Sequence, residues 1–166
     1  MTEKELIEKI TALAYKLLGA KSRSEKELRD RLLEKRWDES AAMQAAVDKV
    51  IARLKELRYI DDRLYAYDYA HSRVAVRPLG KARVARDLAR KKVSRQVADE
   101  AMNLVFDETS EENLIDKAIE RRVRIRGTPA TREEAKKLFD HLLRLGFSYE
   151  LVSSKVRRLS RNATDE

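Results

Sequence analysis

A chain of 166 residues in which 40% are Asp, Glu, Lys or Arg, 6% are aromatic, and only four are glycine and two proline has the profile of surface-rich helices rather than of sheets joined by tight turns. The formal net charge of +8 favours polyanions or acidic protein surfaces as partners. The absence of cysteine excludes a disulfide framework and a thiolate metal site and fits a reducing compartment. No run of about 18 apolar residues exists to span a membrane. Met1 to Ile10 alternates charged with apolar residues instead of showing a signal-peptide apolar segment. The chain is therefore expected to be cytoplasmic.

In chain order, apolar periodicity predicts a first helix over Lys4 to Leu18, with Gly19 just past its end. Ser22 with Glu25 has capping-box spacing and predicts the start of a second helix. That helix carries Leu32 and is followed by Trp37 and Asp38, and Asp38 is a good N-cap for a third helix over 41–57. Met43, Val47, Val50, Ile51 and Leu54 form the apolar face of that third helix.

The sequence then repeats itself. A helix is predicted from Asp61 to Ala75, with Asp61 and Asp62 at its start as cap and dipole partner rather than as metal ligands. Pro78 fits the next helix start, with Gly80 making the first turn irregular. Leu88, Val93 and Ser94 reproduce the Leu32, Trp37, Asp38 arrangement, and a helix over Gln96 to Phe106 follows. The third round reads Glu111 to Arg126, Gly127, the capping box Thr131 to Glu134, then Leu142, Gly146, Phe147, Ser148 and a helix over Glu150 to Leu159.

The anchors Trp37, Val93 and Phe147 are 56 and 54 residues apart, which predicts three repeats of one supersecondary unit. The expected fold is all-α: three tandem three-helix repeats at 1–58, 59–108 and 109–166. Units this small bury little alone, so they should stack into an elongated, curved array. The three anchors are expected to be equivalent interior residues.

Catalytic hardware is missing. His71 and His141 are seventy positions apart and lack the i, i+4 companions of a zinc helix. There is no P-loop, no dinucleotide glycine fingerprint and no nucleophile elbow. No catalytic residue, metal or cofactor is expected.

The bases are clustered. Between His71 and Arg95 stand Arg73, Arg77, Lys81, Arg83, Arg86, Arg90, Lys91, Lys92 and Arg95 against the single acid Asp87. Arg83, Arg86 and Arg90 fall within roughly 60° on a helix, opposite Ala82, Ala85 and Leu88. A second cluster holds Lys117, Arg121, Arg122, Arg124 and Arg126, and a third Lys155, Arg157, Arg158 and Arg161. Three clusters suit an extended polyanion or filament. Tyr65 and Tyr69 share one helix face and Tyr67 another, where packing is favoured over base stacking.

Four stretches resemble, in order, the successive signatures of the RecX family of bacterial recombination regulators: RSEKELRDRLLEK from Arg23, YIDDRLYAYDYAHSR from Tyr59, GKARVARDLARKKVS from Gly80 and LLRLGFSYELV from Leu142. The resemblance runs from Ala14 to Leu159. It departs where the family usually carries glycine before the anchor: this chain has Arg36 and Lys92, and only Gly146 keeps the pattern.

The resemblance implies a monomeric protein of recombination, DNA repair and the SOS response. Such a protein binds the RecA–single-stranded DNA filament in its groove and inhibits ATP hydrolysis, strand exchange and filament growth, meeting DNA through the filament. The competing reading is a free-standing helical nucleic-acid-binding module that acts without RecA. The residues expected to meet the partner are the nine bases from Arg73 to Arg95 together with Lys117, Arg121, Arg122 and Arg124.

Overall fold

The computed structural model describes residues 1–37 and 41–162. These form nine helices: α1 (Glu3–Ala20), α2 (Glu25–Leu33), α3 (Ala41–Glu56), α4 (Asp62–Val76), α5 (Lys81–Arg90), α6 (Arg95–Glu108), α7 (Glu111–Arg126), α8 (Arg132–Arg144) and α9 (Tyr149–Asn162). No strand occurs among the described residues.

Local chemistry accounts for most of the helix starts. Thr2 and Thr131 make full capping boxes with Glu5 and Glu134, while Ser94, Ser110 and Ser148 accept from backbone N–H groups three residues on, satisfying donors that have no partner within the helix. Asp61 does the same for α4 through Arg63 and Leu64.

Two expectations shift. Gly19 lies inside α1, which closes at Lys21 in extended backbone, so no left-handed residue is needed there. Ser24, not Ser22, caps α2 by accepting from Glu27 N–H at 3.2 Å. Ser24 is fully buried and its hydroxyl donates to the carbonyl of Lys91, so a contact from a distant segment selects between two serines with the same capping spacing. The expected cap Asp38 falls outside the described residues.

The repeat is visible in backbone geometry. Arg36, Lys92 and Gly146 each have positive φ, at 45°, 61° and 92°. Each donates its N–H three residues back, to Leu33, Ala89 and Leu143. One left-handed turn therefore ends the middle helix of every triplet. Only the third triplet places glycine there, and the two non-glycine residues carry a cost of about 1–2 kcal/mol each. The following anchors are not equivalent: Val93 and Phe147 are buried, whereas Trp37 is half-buried against the core of α1 to α3.

The chain divides into two compact units, one of residues 1–66 and 89–98 and the other of 67–88 and 99–166. In the first, α1 packs on α2 and α3 through Leu6, Ile10, Leu28, Leu32, Val47, Ile51 and Leu54, all nearly inaccessible to solvent. The α2 N-terminus is held by residues far along the chain. The Asp62 carboxylate accepts from Glu25 N–H at 2.8 Å and Lys92 pairs with Asp30. Asp62 thus serves the α2 terminus as well as standing at the start of its own helix.

In the second unit α8 packs against α7 and α9, and two backbones meet directly. Gly80 N–H donates to Leu145 at 2.9 Å and Ala82 N–H to Gly146 at 3.2 Å, while Lys81 N–H donates to the Glu111 carboxylate at 3.0 Å. A Cβ on Gly80 would overlap the Gly146 carbonyl, and one on Gly146 would overlap the backbone of Arg83. Glycine here is a requirement of close approach rather than of local turn geometry alone.

Gly80→Ala should lower stability by about 3 kcal/mol, because backbone has to give way and no flexible side-chain end can move aside. Arg36→Gly should raise stability by up to about 1 kcal/mol by relieving the left-handed residue. Urea unfolding followed by circular dichroism measures both.

Candidate nucleic-acid interface

The buried stripe of α5 is Val84, Asp87 and Leu88, not the expected Ala82, Ala85 and Leu88; Ala82 is exposed. The inward face of the helix therefore includes an acid. Arg73 of α4 grips Asp87 with Nε at 3.2 Å and Nη2 at 2.9 Å, and Arg83 Nε lies 3.4 Å from the other carboxylate oxygen. A carboxylate with 6% side-chain exposure is tolerable only when such partners compensate its desolvation. Counting nine bases against one acid along the sequence hides this: burial lets the single acid take two arginines.

The remaining bases of the 71–95 segment separate. Arg86 is exposed and turns its Nε to the Ala82 carbonyl of its own helix. Lys81 stands 5.6 Å from the Phe106 ring centroid, a cation–π contact. Arg77 is exposed just beyond α4. Arg90, Lys91, Lys92 and Arg95 belong to the first compact unit, whereas Arg73 to Arg86 belong to the second. The sequence run is one segment but not one described surface.

The second unit gathers bases that are scattered along the chain. A hollow of about 280 Å³ is lined by His71, Val74, Pro78, Leu114, Lys117 and Arg121. The i, i+4 pair Lys117 and Arg121 is exposed and shares this lining with Ala75 and Pro78. A second hollow, of about 250 Å³, has Arg122 and Arg126 of α7 facing Lys137 and Leu138 of α8. Arg124 pairs instead with Glu120 at 2.9 Å, a solvated contact worth little.

His141 reports the resulting field. Burial, then the nearby charges of Arg122, Arg144 and Arg77, hold its imidazole below the ordinary histidine value. Sequence spacing did not single out His141 or Arg144, because they join this cluster only when α4, α7 and α8 pack. Tyr67 donates to the Glu108 carboxylate at 2.9 Å and its ring stacks on His71 at 5.8 Å, so it packs within the second unit. No group of three His, Cys, Asp or Glu side chains able to hold a metal occurs among the described residues. No described helix is long and apolar enough to cross a membrane.

Consecutive three-helix domains define an all-helical protein assembled from tandem modules. Sequence comparison matches the first three-helix domain of RecX to residues 11–54 and the second to residues 61–102. The regulatory protein RecX of Chlorobium phaeobacteroides is 29% identical over 150 residues, covering 90% of this chain and 93% of that protein. That of Clostridium botulinum strain Alaska E43 is 28% identical over 158 residues, covering 95% and 71%. The crystal structure of RecX from Lactobacillus salivarius shares the fold, with a TM-score of 0.79 at 22% identity over 94% of this chain and 97% of that one. The chain belongs to the RecX family of regulatory proteins.

Asp87→Ala should cost about 2–3 kcal/mol, since it strands Arg73 and Arg83 against a vacated buried site; comparison of its urea midpoint with that of Arg86→Ala, which should change little, checks this. His141 supplies a pH dependence. Its folded value is depressed, so the unfolded chain takes up the proton first and stability present above about pH 6.5 is lost as pH falls through the folded value. The fall in melting temperature from about pH 7.5 to 5.5 should be smaller in His141→Gln than in the parent protein.

Proposed function

We propose that this protein regulates homologous recombination and DNA repair by binding the RecA–single-stranded DNA filament and restraining its ATPase, strand exchange and growth. It acts as a monomer in the cytoplasm, without catalysis or a cofactor of its own. The observation that carries the reading is the ordered match of both RecX three-helix domains. The working modules are the three triplets at 1–58, 59–108 and 109–166, each too small to be stable alone.

The contact bases are drawn from the expected set. Lys117 and Arg121 are exposed at one hollow of the second unit, Arg77 is exposed next to Pro78 of its lining, and Arg86 and Arg122 extend the positive charge on α5 and α7. Such side chains bring the protein to an acidic or phosphate-lined surface and set its orientation there. Arg73 and Arg83 serve the partner poorly, because Asp87 already holds them.

The test is RecA ATPase on single-stranded DNA with the protein titrated in over a salt series. The triple variant Arg77→Glu, Lys117→Glu, Arg121→Glu should lose at least about tenfold in inhibitory potency at low salt, with its melting temperature nearly unchanged, because exposed charges add little to stability. Equal potency of the variant removes this surface from the contact. Failure of the parent protein to affect RecA-coated DNA at all, with tight binding to bare DNA, replaces the filament reading with that of a free-standing nucleic-acid-binding module.

A further inference from the structure

The C-terminal helix divides its four bases. Lys155 points inward, 15% exposed, and pairs with Asp116 of α7 at 2.7 Å. Arg157, Arg158 and Arg161 are exposed, and among the described residues none of them pairs with a carboxylate. Burial of Val152 and Val156 on the inner stripe, with the Lys155 pair, fixes the rotation of α9, so the outward side is set by packing.

That outward side is more than a charged face. Tyr149, Ser153, Arg157 and Arg161 follow one another at four-residue steps, about 6 Å apart along the axis, and with Arg158 they line an open hollow of about 450 Å³. Glu150 is the one acid of that lining. Tyr149 is 66% exposed, yet its ring is held edge-on to Phe139 of α8, with centroids 5.3 Å apart and planes at 75°. An edge-on neighbour restrains an aromatic ring while leaving a face uncovered.

We propose that this side of α9 binds an unpaired nucleic-acid strand, one base stacking on the open face of Tyr149 while Arg157 and Arg161 meet successive backbone phosphates. An exposed, positioned ring beside guanidinium groups at helical steps is the pairing that single strands use: stacking accepts any base and the cations follow the backbone. A duplex keeps its bases within the stack and offers Tyr149 nothing. An acidic protein surface would use the arginines but not the ring. The site needs no second protein, so it is independent of the filament reading.

The experiment uses the full chain and fluorescence anisotropy with a labelled oligothymidine strand, its abasic counterpart and a duplex at matched salt. Tyr149→Ala should weaken strand binding about tenfold, while Tyr149→Phe, which keeps the ring, should bind like the parent. Arg157→Ala with Arg161→Ala should lower the slope of log affinity against log salt by about 1.4, two phosphates' worth for a single strand. Circular dichroism establishes that each variant is folded. The Arg77, Lys117, Arg121 triple variant should keep its α9-dependent strand binding even where RecA inhibition is lost, which separates failure of one site from failure of the other. Equal affinity for the abasic or duplex probe, or a Tyr149→Ala protein that binds like the parent, overturns the proposal, as does equal binding of polyglutamate, which assigns the face to acidic protein surfaces.

Discussion

The contact on which the second compact unit depends is the approach of two backbones, Gly80 before α5 and Gly146 between α8 and α9. Three polar groups of the α5 entrance are satisfied there or beside it: Gly80 N–H by Leu145, Ala82 N–H by Gly146 and Lys81 N–H by Glu111. An α-helix start leaves such donors without partners in its own chain. Here a later segment supplies the acceptors, so the start of α5 and the turn after α8 form only together. The position of α5 then sets where Asp87 goes, and Asp87 sets the places of Arg73 and Arg83. A steric condition at two glycines thereby reaches the electrostatics of α4 and α5.

The first unit solves the same problem with side chains. Ser24 caps α2 and donates to Lys91, Asp62 receives Glu25 N–H, and Asp30 holds Lys92. Residues 89–98 therefore belong with the first triplet although they follow most of the second in sequence. A three-helix segment of about 50 residues buries too little surface to stand alone, and its middle helix starts where a neighbour provides polar partners. Compact units and sequence repeats need not coincide in such a chain.

The basic character has two functions that composition merges. Some cations are structural: Arg73 and Arg83 balance a buried carboxylate, Lys155 ties α9 to α7, and Lys92 ties residue 92 to α2. Others stay exposed, among them Lys117 and Arg121 on α7 beside the exit of α4 and Arg157, Arg158 and Arg161 on the outer side of α9. Exposed cations of this second kind attract acidic or phosphate-bearing surfaces. Burial, and then the charges of Arg122, Arg144 and Arg77, depress the histidine at 141.

The sequence by itself determined the all-helical class, nearly every helix, the capping residues Thr131, Ser94 and Ser148, and the triple repeat, because those follow from apolar periodicity and from hydrogen bonds within a few residues. The left-handed turns at Arg36 and Lys92 emerged only in the backbone geometry, because neither residue type signals such a turn. The choice of Ser24 over Ser22, the half-burial of Trp37, the rotation of α5 and the fate of each arginine were settled only by tertiary structure. Spacing along a helix says which side chains share a face, but whether that face meets solvent, a buried carboxylate or another backbone depends on residues 14 to 67 positions away, and no local pattern encodes their arrival.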